Sequence, residues 1–400
     1  MNVKCIDSLG TQELAGKRVL VRVDFNVPLE SGEIQSDQRM RAALPTLTYL
    51  LEHQAQIILM SHLGRPKGQF VDDLRLKPVG KHLEELLEQK VCVLSETVGD
   101  QVKATLKSED ARVFLLENTR FYPGETENDP AFAKALAELG DIYVNDAFGA
   151  AHRAHASTAG IADYLPSYAG LLMQREITAL SKLLKSPDHP FVAVIGGAKV
   201  SSKLGVLENL LPAVDFLVIG GAMAFTFLAA QGQNIGQSLV EPELYETALS
   251  LLAAAKKSKT EIILPQDTVM AKSKDDDQIR SVVKLEIGDA DINELSGVDI
   301  GPESIAMLRQ KLAGVKTILW NGPMGVFENP CFAAGTEAVA EILAEATDQG
   351  AYSVVGGGDS VAAVEKLHFS KRFSHVSTGG GASLEFLEGK TLPGIAVLGA

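Results

Sequence analysis

The sequence predicts an α/β fold of two Rossmann-like domains, each a parallel sheet flanked by helices, and three observations carry that expectation. The chain has 400 residues, enough for two domains at about 150 residues each. Short β-branched runs alternate with helix-length stretches along its length. The runs are apolar throughout, the pattern of strands buried on both faces of a parallel sheet.

In the first half the expected strands are RVLVRVDF near 18–25, AQIILMSHL near 55–63, VCVLS near 91–95, ARVFLLEN near 111–118 and DIYVNDAF near 141–148. QRMRAALPTLTYLLEH and PAFAKALAELG supply helix-length spacers. The second half repeats the scheme with FVAVIGG, DFLVIGGA, EIILPQD, KTILWNGP and YSVVGGGD. Between the halves, LLMQREITALSKLLKSPDHP has the apolar spacing of a long helix and ends in Ser186, Pro187, Asp188 and Pro190, where helix continuation is disfavoured. The expected division is therefore a first domain over 1–170, a connecting helix over 171–188 and a second domain over 189–383.

Apolar residues make up 46% and charged residues 22% of the chain, values of an ordinary packed protein that argue against disorder. A formal charge of −14 repels nucleic acid and anionic membranes alike. The three cysteines, Cys5, Cys92 and Cys331, are far apart and show no CxxC spacing, so neither a disulfide framework nor a zinc site is indicated. The first twenty residues lack the apolar core of a signal peptide, and no apolar run reaches transmembrane length. A soluble cytoplasmic protein is the expectation.

Polar and glycine-rich residues follow the apolar runs in both halves, where open parallel sheets bind ligands. In the first half these are Asp24 and Asn26 after the first run, Arg39 in the helix beyond, and His62, Leu63, Gly64 and Arg65 after the second. Arg120 follows the fourth and Arg153 the fifth. Guanidinium groups bind phosphate and carboxylate oxygens bidentately, so several at one sheet edge would hold a small, multiply charged anion. His152 and His155 form HxxH, but a zinc site normally takes three or four protein ligands.

The second half is glycine-rich at the same places. Gly196, Gly197, Ala198 and Lys199 follow one run, with Lys203 expected a helical turn later on the same face, an arrangement suited to nucleotide phosphates. Gly220 and Gly221, then Asn321, Gly322 and Pro323, then Gly357, Gly358, Asp359 and Ser360 follow others. Asp359 and Ser360 offer the hard oxygens that Mg²⁺ prefers, and either residue is also an ordinary helix cap. Gly379, Gly380 and Gly381 in STGGGAS present backbone amides that could bind a phosphoryl group in transit. Common nucleotide fingerprints are missing: there is no GxGxxG, and Gly389-Lys390-Thr391 lacks the leading glycine of a Walker A loop because position 384 is Leu.

Taken together, RVDFNVP, SHLGRP, ENTRFYPGE, NDAFGAAHRAHAST, GGAKVSSK, WNGPMGVFE, GGGDS and STGGGASLEFLEGK closely resemble the phosphoglycerate kinase family, in order and over essentially the full chain. The resemblance implies two six-stranded parallel cores, a monomer, and reversible phosphoryl transfer between 1,3-bisphosphoglycerate with ADP and 3-phosphoglycerate with ATP in glycolysis. It implies that Asp24, Asn26, Arg39, His62, Leu63, Gly64, Arg65, Arg120 and Arg153 bind the acid. Gly197, Ala198, Lys203, Gly221, Gly297, Asn321, Pro323, Glu328, Gly357, Gly358, Asp359 and Ser360 would line the nucleotide site. In that site Glu328 would meet the ribose and Asp359 the Mg²⁺, while Arg39, Lys199, Lys203, Gly379 and Gly380 would surround the migrating group. Family members commonly have Thr where this chain has Ser360, a change that keeps the hydroxyl. The segment from 384 to 400 is expected to pack back on the first domain. The alternative is a non-catalytic, two-lobed anion-binding protein, which would bind these anions without turnover.

Overall fold

The computed structural model describes residues 3–285 and 292–399. In chain order the strands are β1 (Arg18–Arg22), β2 (Leu29–Glu30), β3 (Glu33–Ile34), β4 (Gln56–Met60), β5 (Val91–Val93), β6 (Val113–Leu115), β7 (Ile142–Asn145), β8 (Ser167–Ala169), β9 (Phe191–Ile195), β10 (Phe216–Ile219), β11 (Glu261–Ile263), β12 (Asp267–Ala271), β13 (Ser281–Lys284), β14 (Ser296–Ile300), β15 (Thr317–Asn321), β16 (Tyr352–Gly356) and β17 (His375–Val376). Residue contacts divide the chain into two compact units, Met1–Thr178 with Thr391–Ala400, and Ala179–Lys390. The division falls inside the helix Leu171–Lys185.

The first unit is built on a six-stranded parallel sheet ordered β5-β6-β4-β1-β7-β8. Its central strands are buried on both faces, with Val19, Leu20, Val21, Ile57, Ile58 and Leu59 fully inaccessible, each such side chain contributing about 1.5–3 kcal/mol. The helix Gln38–Glu52 covers the sheet with Met40, Ala43, Leu47 and Leu50, the three- and four-residue spacing of one helical face. The register pairs Arg22 with Met60 on one side and with Asn145 on the other. The segments leaving β1, β4 and β7 therefore emerge at one edge.

The second unit holds a parallel sheet ordered β11-β10-β9-β15-β16-β17, the doubly wound order. Fully buried Val192, Val194, Ile318, Trp320 and Val355 fill its core. Asn321 pairs with both Ile195 and Gly356, so the glycine-rich segments after β9, β15 and β16 also leave at one edge.

Two features differ from the sequence reading. A three-stranded antiparallel sheet, β13-β12-β14, accompanies the second core, and none of its strands was expected. Its outer strand β13 is only half buried in alternate positions, so it lacks the continuous apolar signature by which the other strands were found. The C-terminal return begins at Thr391 rather than 384. Asn209 Nδ2 donates to Leu387 O at 2.7 Å, which holds the helix Gly381–Leu387 to the second unit. Beyond it, Asn145 Nδ2 donates to Gly394 O at 3.1 Å and Lys4 N to Leu398 O at 3.2 Å. No helix among the described residues is long and apolar enough to cross a membrane.

Candidate functional site

In each sheet the earlier strands lie to one side of the first strand and the later ones to the other, which makes a switch point of the kind at which open α/β sheets bind ligands. In the first unit that point lies beyond β1 and β7. Asp24 Oδ2 there accepts from Arg39 Nη1 at 3.1 Å, and its Oδ1 lies 4.0 Å from His62 Nδ1. Asn26 Oδ1 accepts from Gly64 N at 2.8 Å, and Gly64 O accepts from Arg120 Nη1 at 2.9 Å. Asn118 Oδ1 accepts from Leu63 N at 3.2 Å and from Arg120 N at 3.1 Å. These bonds fix the loops after β1, β4 and β6 against one another, which is how residues distant in sequence come to share one surface. Arg65, on the loop after β4, and Arg153, on the segment after β7, are exposed, and Arg153 Nε donates to His152 Nε2 at 3.1 Å.

The electrostatics of this surface are strongly positive. Burial, then Arg22, Arg120 and Arg39, hold His62 well below the usual imidazole range. Burial, then Arg22 and Arg153, lower Arg120 to about 10, and burial with Arg120, Arg22 and Arg153 lowers His155 to about 4. Arg120 Nε is buried with no hydrogen-bond partner, an expensive state for a charged group unless an anion completes it.

A stability prediction follows from His155. Its ordinary value is 6.5, so between that pH and about 4 the unfolded chain binds a proton that the folded chain does not. Stability therefore falls on acidification across this window. The expected result in thermal melts from pH 7 to pH 4 is a declining Tm whose slope flattens in His155→Asn; an unchanged slope refutes the assignment.

The second unit contains a cavity of about 660 Å³ whose lining includes Gly197, Ala198, Gly221, Gly297, Pro323, Glu328 and Asp359. Glycine is required at two of these positions. A Cβ on Gly297 would lie 2.0 Å from Phe225 Cζ, and Gly221, at φ +67°, would bring one within 2.6 Å of the Gly197 backbone. Lys203 Nζ donates to Asn321 Oδ1, while Asn321 Nδ2 is buried without a partner. Burial lowers Lys203 to about 8 against the opposing influence of Asp359. Asp359 is exposed in the first turn of the helix Gly358–Lys366, and Gly357 enters that helix at φ +86°.

Known proteins of the same construction decide what these two surfaces belong to. The phosphoglycerate kinase family model matches residues 9–390. The chain is 52% identical over 402 residues to the phosphoglycerate kinase of Dictyoglomus turgidum, covering 100% of this chain and 99% of that one. It is 54% identical over 387 residues to that of Moorella thermoacetica, covering 96% and 97%. The phosphoglycerate kinase structure from Coxiella burnetii superposes with a TM-score of 0.88 at 43% identity, covering 99% of each chain. That from Pyrococcus horikoshii gives 0.80 at 32% identity, covering 99% and 98%.

The chain belongs to the phosphoglycerate kinase family. It is therefore an enzyme, a kinase, and the reading as a non-catalytic anion binder is not favoured.

Within this kinase several expected residues sit differently from their sequence reading. Lys199 and Lys203 do not share a helical face: the helix begins at Leu204, and Lys199 is exposed ahead of it. The cause is Glu241, whose carboxylate accepts from Ser201 N at 3.1 Å and from Ser201 Oγ at 2.5 Å, while Val200 is buried. These contacts hold 201–203 in a turn ahead of the helix. Ser360 is fully buried and its hydroxyl accepts from Gly322 N at 2.5 Å, so it supports the loop after β15. Gly379 N already donates to Ser377 Oγ at 3.1 Å, and a phosphoryl group could use that amide only if this bond gave way. His152 and His155 gain no metal-binding companion, since no group of three or more His, Cys, Asp and Glu among the described residues is placed to hold an ion.

Sequence reasoning missed Arg22, the last residue of β1 and fully buried. Its Nη2 lies 3.0 Å from His62 Nδ1, and its place at a strand end was the available signal. It also missed Asp299, a cavity-lining residue whose carboxyl burial pushes up to about 7. That carboxyl accepts from Gly335 N at 2.6 Å and Ile300 N at 2.9 Å. Nothing in a lone Asp within a strand announces such a role.

Proposed function

We propose that this chain transfers a phosphoryl group reversibly between 1,3-bisphosphoglycerate and ADP, giving 3-phosphoglycerate and ATP, with the acid on the basic surface of the first unit and the nucleotide in the cavity of the second. The observation that carries the acid site is Arg120, half-buried with a buried, unsatisfied Nε, where burial and then the neighbouring guanidinium groups lower its own pKa and that of two histidines. An anionic ligand relieves that field. Asp24, Asn26, Arg39, His62, Leu63, Gly64, Arg65, Arg120 and Arg153 form the acid site in this reading.

Gly197, Ala198, Lys203, Gly221, Gly297, Asn321, Pro323, Glu328, Gly357, Gly358 and Asp359 form the nucleotide site, with Glu328 on the ribose and Ser360 supporting it through Gly322. Asp359 suits Mg²⁺ arriving on the phosphates, because that ion is usually bound by one or two carboxylates together with substrate oxygens. When bound, it would neutralise part of the polyphosphate charge. Lys203 supplies a second charge, with a pH signature. Its ammonium is present below about 8 and lost above it, so ATP affinity is expected to fall between pH 7 and pH 9 and to stay level in Lys203→Met. Parallel titration curves for the two proteins would remove Lys203 from the site.

In the ATP-consuming direction the acceptor is a carboxylate, already ionised with a pKa around 4, so no general base is needed. What remains for the protein is alignment and charge stabilisation of a loose transition state. Arg39, Lys199, Lys203 and the amides at Gly379 and Gly380 are the groups assigned to it, and no covalent enzyme intermediate is involved. The transfer requires the acid and the γ-phosphoryl to meet with water excluded. The helix Leu171–Lys185 and the glycines at 379–381 are the assigned hinges. The free cysteines Cys5, Cys92 and Cys331 fit a reducing cytoplasm, and a monomer is the assigned state, open to light scattering. A coupled assay with ATP, Mg²⁺ and 3-phosphoglycerate tests the whole reading: turnover is expected, and its absence in folded protein overturns it.

A further inference from the structure

We infer that Glu125, outside the ligand-binding set, is a positioning residue for the acid site: one buried carboxylate ties together the loops that carry its guanidinium groups. The inference rests on the basic surface being the acid site.

Glu125 is fully buried in the short helix Pro123–Thr126. Its Oε1 accepts from Ser157 Oγ at 2.6 Å and from Thr119 Oγ1 at 3.2 Å, and its Oε2 from Ser157 N at 3.0 Å. Ser157 Oγ in turn accepts from Arg22 Nε at 2.8 Å. Thr119 is the neighbour of Arg120, and Ser157 lies on the loop that carries Arg153. The same loop is held a second time by Ala156 N, which donates to Glu125 O at 2.9 Å. His155 Nδ1 lies 3.8 Å from Oε1. The segments bearing Arg120 and Arg153 thus meet on one side chain, and Arg22 joins them through Ser157.

Charge separates this from an ordinary packing role. Burying a carboxylate costs solvation energy, and a neutral amide would satisfy part of the same hydrogen bonds without that cost. The negative charge has a use here because the groups around it are positive. Its influence opposes the burial that lowers Arg120, and it reaches Arg22 through Ser157. Without it the like charges of Arg22, Arg120 and Arg153 repel uncompensated, and the donors shift. A displacement on the order of 1 Å costs up to about 10²-fold in a positioned site.

The test is calorimetric titration of 3-phosphoglycerate without nucleotide, alongside steady-state kinetics, on the parent chain, Glu125→Gln and Ser157→Ala. Glu125→Gln is expected to weaken acid binding and raise the KM for 3-phosphoglycerate about tenfold, with the KM for ATP within twofold of the parent. Ser157→Ala, which removes the Oγ bonds to Glu125 and Arg22 but keeps Ser157 N on Oε2 and removes little volume, is expected to act in the same direction by roughly threefold. The double variant should lose less than the product of the two, as coupled neighbours do. Acid affinity within twofold of the parent in either folded variant overturns the inference and leaves the acid site intact. An equal rise in both KM values also overturns it, because general loosening has no preference for one substrate. A parent chain that binds no 3-phosphoglycerate overturns the site and the inference together.

Discussion

Arg39→Ala is expected to lower kcat by about 10²–10³-fold, roughly 3–4 kcal/mol, the usual consequence of removing one preorganised donor to a charge that develops in the transition state. The guanidinium belongs to the second residue of the helix Gln38–Glu52, and its Nη1 is shared between Asp24 Oδ2 at 3.1 Å and Asn26 O at 3.3 Å. It is therefore oriented before any ligand arrives. Its loss also leaves Asp24 without that counter-charge, so the KM for the acid should rise together with the fall in kcat. Arg39→Lys should recover only part of the rate, since an ammonium restores the charge without the planar fork. Nucleotide affinity, measured by calorimetry, should stay within twofold, because the cavity is lined by other residues. Turnover within tenfold of the parent would take Arg39 out of the transfer step.

Asp359→Ala is expected to weaken MgATP binding by roughly 10- to 100-fold, about 1.4–2.8 kcal/mol. The sign reverses without the metal. A carboxylate repels metal-free ATP, so affinity measured in EDTA should hold or improve in the variant. That crossover separates a metal ligand from a helix cap, whose loss would weaken both forms alike. Asp359 also raises Lys203 against the burial that lowers it, so the fall in ATP affinity with rising pH should begin earlier in Asp359→Ala. Equal affinity for MgATP in variant and parent would remove Asp359 from the metal site.

The central strands were legible because burial on both faces demands continuous apolar residues. FVAVI, all buried in β9, could be read directly. The three-residue β8 and the two-residue β17 carry too little pattern to be found that way, and the sixth strand of each sheet followed only from the family resemblance. The same limit hid the four-residue β13, whose positions alternate between half-buried and exposed and so give no continuous apolar run. Candidate ligand residues were legible where a rule links position to role: His62 and Arg120 follow strand ends, and Asn321 is the last residue of β15. The pairing of Lys199 with Lys203 failed because an i, i+4 spacing means one face only inside a helix, and Glu241 draws Ser201 out of helical geometry from forty positions away.

By itself, then, the sequence determined the class of fold, the family and the edge of each sheet where charge and glycine gather, because apolar continuity and strand-end position are local properties. Tertiary structure alone decided which groups meet. It set Arg22 against His62, engaged the Gly379 amide with Ser377 and put the Glu125 carboxylate between the segments of Thr119 and Ser157. Those contacts depend on strand order and register, which bring distant segments together, and so do the shifts at His155, Lys203 and Asp299, whose leading cause is burial by the folded chain.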